Sequence, residues 1–81
     1  MNEEIKKEIQ IIADSFYQNK NMDGIKKMPE LIRQLADYLN KMSMEKKQGF
    51  STSVMNLAEA YERKEYVLVA DILSYEIADM L

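Results

Sequence analysis

The chain has 81 residues, 47% hydrophobic and 31% charged, which fits one folded domain (1–81) and lies outside the disordered class. Its formal net charge of −3 gives no electrostatic reason to expect nucleic-acid binding. It contains neither cysteine nor histidine, which removes disulfides, thiol chemistry, the commonest general base and most transition-metal ligand sets.

Two glycines and one proline leave few places to turn, which favours long helices over many short strands. The expected fold is therefore all-α. The opening MNEEIKKEIQ mixes both charge signs and has no apolar h-region, so no secretory signal is expected. No apolar run approaches the ~20 residues that span a bilayer. The expected location is the cytoplasm, with no membrane contact.

The first predicted helix covers residues 3–19. Ile5, Ile9, Ile12 and Phe16 recur at spacings of four, three and four, with Ile11 off the stripe. Glu3 and Glu4 suit the positive end of the helix dipole. A turn at 19–24 follows, with Asp23 as the predicted N-cap.

The second predicted helix covers 23–48. Ile25, Met28, Ile32, Leu35, Leu39 and Met42 form its stripe, widened by Leu31 and Ala36. Pro29 either marks the first helical position or kinks a helix begun near Asp23, and the kink is favoured because Ile25 and Met28 are in phase with the later residues. Lys46 and Lys47 would close the last turn, with Gly49 as the left-handed cap and Phe50 as its apolar contact. An end near Ser43 is the alternative.

The third predicted helix covers 51–63, with Ser51, Thr52 and Ser53 as N-cap candidates. Phe50, Val54, Leu57 and Tyr61 form its stripe, with Ala58 beside it. A tight turn at 63–66 is expected before the last helix, 66–81. One helix over 50–81 is the alternative, because Leu68, Ile72 and Tyr75 keep phase with Val54, Leu57 and Tyr61. A faint echo supports the turn: Tyr17-Gln-Asn-Lys20-Asn-Met22 resembles Tyr61-Glu-Arg-Lys64-Glu-Tyr66. Each would join one αα-hairpin, and two packed hairpins make a four-helix arrangement.

The last helix is the most apolar segment. At about 100° per residue, Tyr66, Val69, Ala70, Leu73, Ile77 and Met80 share a core-facing side. Leu68, Ile72 and Tyr75 form a second, narrower stripe, flanked by Asp71, Glu76 and Asp79. A helix apolar on two sides is central in its bundle or covered by another chain. These six residues are the candidate partner or dimer surface. Asp71, between the stripes, needs a donor if it is partly buried: a tyrosine hydroxyl, Arg33 or Arg63.

The stretch AYERKEYVLVADILSYEIADML resembles the C-terminal end of small uncharacterised helical proteins of clostridia and related bacteria. The pattern is Tyr66, Leu68, Ala70, Asp71, Leu73, Tyr75 and Glu76, preceded by an acidic-Tyr turn. Met22 to Leu39 resembles their second helix more loosely. The resemblance implies a bacterial helical domain of unknown function and supplies no catalytic residue. A weaker likeness is to small helical flagellar export chaperones, with which no motif is shared.

Motifs for chemistry are sparse. Glu59/Glu62 and Glu76/Asp79 are carboxylate pairs at helical spacing, better read as solvated surface than as a Mg²⁺ or Ca²⁺ site. Ser43-Met-Glu-Lys46 matches a bare Ser-x-x-Lys without companion motifs. Neither cofactor nor metal is expected. Lys6, Lys7, Lys20, Lys26 and Lys27 lie in the N-terminal half among acidic residues. The basic first half is expected to lie against the acidic last helix, within one chain or across a dimer. Met42 suits the core, whereas Met44 and Met55 lie off their stripes and suit a contact surface.

The expected protein is a non-catalytic helical bundle acting by protein–protein contact, as a homodimer. One rival is a chaperone-like or adaptor module for one partner helix, of an export or flagellar protein, in a groove that accepts an i, i+3, i+4, i+7 pattern. The other is a carboxylate enzyme using Mg²⁺.

Overall fold

The computed structural model describes residues 2–81 as four helices. They are α1 (Asn2–Tyr17), α2 (Asn21–Asn40), α3 (Met44–Glu62) and a last helix, α4. Helix α4 is α-helical over Tyr66–Asp71, widens to a π-helix over Ile72–Ile77, and closes over Ala78–Met80. The chain is all-α, as expected from its composition. The Cα radius of gyration, 11.7 Å, is about what a folded chain of this length should have by itself.

Helix α1 keeps the predicted stripe: Ile5, Ile9, Ile12 and Phe16 are buried, joined by Ala13. It stops at Tyr17 because Asn19 turns left-handed, at φ 60°. Asn19 N–H then donates to Phe16 O (3.2 Å) and Lys20 N–H to Ser15 O (2.8 Å), the crossed pair that closes a Schellman cap. Asp23 is not the N-cap. Lys20 holds that place, and Asp23 sits in the first turn, where its charge still suits the dipole.

Helix α2 begins well before Pro29, which lies in its interior. Without an N–H, Pro29 leaves the carbonyl of Ile25 without its helical donor. The buried residues are Gly24, Met28, Leu31 and Leu35, whereas Ile32 and Ala36 face solvent. The predicted stripe was therefore centred one position away. Helix α2 packs mainly on α1 and only lightly on α3, so a narrow strip is covered.

The predicted stop at Gly49 is overturned. Helix α2 ends at Asn40, and α3 begins at Met44 with Ser43 extended before it. Lys46 and Lys47 open α3 rather than closing α2, and Ser51, Thr52 and Ser53 lie inside it. An interior glycine costs a helix ~1 kcal/mol. Turning at 41–43 carries Phe50 into the core beside Tyr38, with ring centroids 5.5 Å apart, and a buried Phe contributes about 2–3 kcal/mol. Burial of Phe50 outweighs the cost of the glycine, so the helix runs through Gly49. Helix α3 then buries Phe50, Ser53, Leu57 and Ala60, while Val54 and Tyr61 are half-buried and Ala58 is exposed.

The turn after Glu62 is present, so residues 50–81 are two helices. Lys64 takes φ 61°, its N–H donates to Tyr61 O (3.1 Å), and Glu65 N–H donates to Ala60 O (3.0 Å). Each bond has its counterpart at the first turn, and the following N-caps match too: Lys20 at φ −95°, ψ 55° and Glu65 at φ −88°, ψ 73°. The echo between the two turns is real, but its register differs by one residue. Asn19 corresponds to Lys64, so Phe16 corresponds to Tyr61 rather than Tyr17. In that register Ile5, Ile9, Ile12 and Phe16 correspond to Phe50, Val54, Leu57 and Tyr61, with the same spacings.

Helix α4 lies between α1 and α3 and touches both. Val69, Ala70, Leu73 and Ile77 are buried, with Tyr66 and Met80 packed against them, so the predicted core side holds. Tyr66 stacks on Phe16 (5.1 Å) and meets Tyr61 edge-on (6.4 Å), joining the hairpins near their turns. At the other end Asn2 Nδ2 donates to Leu81 O (2.8 Å) and to the Tyr38 hydroxyl (3.4 Å).

Candidate interaction face

The second stripe of α4 divides in the fold. Tyr75 is 71% exposed and Leu68 43%, but Ile72 is only 4% exposed. The expectation that Ile72 belongs to an open surface is corrected: α3 covers it. A helix with neighbours on two sides needs apolar residues on two sides, and this accounts for Ile72 without any partner. Leu68, Ile72 and Ala60 form the apolar part of a shallow groove between α3 and α4, with Glu59, Glu65 and Glu76 around it.

The flanking acids divide too. Asp71 is half-buried and accepts a short hydrogen bond from the Tyr17 hydroxyl at the end of α1. That bond, followed by desolvation and the negative charge of Asp71, pushes the Tyr17 phenol up to about 12. A tyrosine is among the donors the sequence offered; Arg33 instead pairs with Glu30 and Asp37 inside α2. Glu76 is exposed, yet its Oε1 accepts from Ser53 Oγ (3.2 Å), which is itself buried on α3. Asp79 is exposed. Asp71 and Glu76 thus pin α4 to α1 and α3 respectively.

Three participants were missed from the sequence. Tyr17 and Ser53 are hydrogen-bond donors to α4, and Val67 is an exposed apolar residue at the start of α4. Tyr17 and Asp71 meet only through the fold, and no local spacing could pair them. Met44 and Met55 are exposed, as expected, and Met42 packs against the core.

Among the described residues, no group of three or more Asp or Glu is placed to hold a metal ion. The pairs Glu59/Glu62 and Glu76/Asp79 therefore gain no third ligand. Among the described residues, no helix is long and apolar enough to cross a membrane. Helix α1 of the basic half does pack on α4, but among the described residues no lysine of that half pairs with an acid of α4. Among the described residues, the ion pairs are those of Arg33 inside α2.

A family model described as Domain of unknown function (DUF8042) matches residues 1–81. The chain belongs to this family. No curated protein and no solved structure matches it. Membership agrees with the expected helical domain of unknown function and brings no catalytic residue or ligand.

Proposed function

We propose that this family member is a bacterial interaction domain that works by contact rather than catalysis, and that it associates with a second copy of itself through the open side of α4. The single observation behind this reading is that Leu68 and Tyr75 stay exposed on a helix whose other faces are already packed, with Val67 exposed nearby. The core closes within one chain, so association is not needed to complete the fold. The bacterial assignment rests on the likeness of the last helix to clostridial proteins.

Light scattering after size exclusion tests the reading. The protein should show a mass above its 9.5 kDa chain mass at high concentration. Leu68→Asp with Tyr75→Lys should return it to a single chain with its far-UV circular dichroism unchanged. Ile72 is left alone because its side chain is buried. A single-chain mass for the unaltered protein at every concentration would end the proposal.

A further inference from the structure

The repeat between the two hairpins extends to their outer surfaces. The groove between α3 and α4 has a counterpart between α1 and α2, formed by Ile11, Asp14, Ser15, Gln18, Lys20 and neighbours. In the shared register Asp14 corresponds to Glu59, Ser15 to Ala60, Gln18 to Arg63 and Lys20 to Glu65. The positions match, but the charges do not. The α1–α2 groove carries Lys20, Lys26 and Lys27 against Asp14 and Asp23. The α3–α4 groove carries Glu59, Glu65 and Glu76 against Arg63. Each also has an exposed apolar side chain, Ile11 (45% exposed) on the first and Leu68 on the second. Among the described residues, none of the three lysines has a carboxylate within ion-pairing distance.

We infer that the α3–α4 groove of one copy receives the lysine-bearing α1–α2 surface of another, Leu68 against Ile11 and Glu59 and Glu65 against Lys26 and Lys27. The inference rests on the self-association proposed above and names the opposing face. The two grooves carry opposite net charge, which favours this pairing over two α3–α4 grooves meeting, where glutamates would face glutamates. A contact between two different surfaces leaves one of each unused in a pair. The mass should therefore climb beyond two chains as concentration rises, and fall with added salt.

Charge reversal tests the pairing. Lys26→Glu/Lys27→Glu leaves both surfaces acidic, and Glu59→Lys/Glu65→Lys leaves both basic. All four positions lie at the surface, and circular dichroism verifies that each variant is folded. Each variant alone should associate roughly tenfold more weakly than the unaltered protein. An equimolar mixture of the two should associate again, since each then meets its opposite. If the unaltered protein associates but both variants do so equally well, the pairing is wrong while self-association stands. If the unaltered protein stays a single chain, both are lost.

Discussion

The hairpins α1–α2 and α3–α4 close with the same turn and then pack in different ways. Four residues after the N-cap, α2 has Gly24, whose N–H reaches Lys20 O, and α4 has Val69, whose N–H reaches Glu65 O. At Gly24 the ring of Phe16 comes so near that a Cβ would stand 2.6 Å from Cε1 and 2.7 Å from Cζ. With no side chain in the way, α1 and α2 close over Phe16 and seal it. The second hairpin places Val69 at that crossing, and Tyr61, the counterpart of Phe16, remains half-buried. Further on, Met28 and Leu31 are three apart, while Leu73 and Ile77, also buried, are four apart across the π-helical turn. A shared cap sets the direction of return, whereas the residue at the crossing sets how closely the helices approach.

The largest test of this contrast is truncation of the paired aromatics. Phe16→Ala should cost about 3–5 kcal/mol, the range for a fully buried Phe. Tyr61→Ala should cost clearly less, because part of that ring already meets water. Equal losses in urea unfolding would mean that the two crossings are packed alike.

The glycines give the next contrast. Gly24→Ala drives a methyl group into Phe16, itself held against Tyr66, and should cost about 1–3 kcal/mol. Gly49→Ala adds a methyl with nothing within 4 Å, inside α3, and should gain up to ~1 kcal/mol. Thermal melts of opposite sign would confirm the pair. A neutral Gly24→Ala would show that Phe16 can move aside.

Pro29 interrupts only the first hairpin. Pro29→Ala restores a donor for Ile25 and should stabilise by about 1–2 kcal/mol, part of the ~3 that a proline costs inside a helix. A loss instead of a gain would show that the proline ring contributes to how α2 meets α1.

The smallest effect lies where the hairpins are tied together. The hydrogen bond to Asp71 raises the Tyr17 phenol from 10.0 to about 12. The protonated phenol is the favoured form in the fold. Its contribution is therefore complete below pH ~10 and lost as pH rises through about 12. Burial also raises Tyr61, so two tyrosines should ionise late in an absorbance titration. Tyr17→Phe should remove the later one and flatten the alkaline loss of stability. The exposure of Tyr17, 43%, keeps this contribution small.

Much of this was open to reading along the chain. The stripe of α1 and the core side of α4 follow from spacing, which reports what one helix does with its own residues, and the turn near Glu65 was marked by its likeness to the first turn. The α2–α3 break did not follow. Lys46, Lys47, Gly49 and Phe50 make a sound local stop, and only the burial of Phe50 beside Tyr38 outweighs it. Ile72 was legible as apolar, but not as covered, because cover depends on which helix lies alongside.

The amino-acid order by itself determined that this chain forms helices, about where most of them turn, and that α4 would be apolar on two sides. Those features arise from contacts within a few residues. Tertiary structure alone decided that α3 shelters Ile72 while Leu68 and Tyr75 stay in water, that Asp71 bonds Tyr17, and that two equivalent grooves carry net charge of opposite sign. Each of these depends on which distant segments the packed core brings together, and on the larger of two competing energies rather than on any local preference.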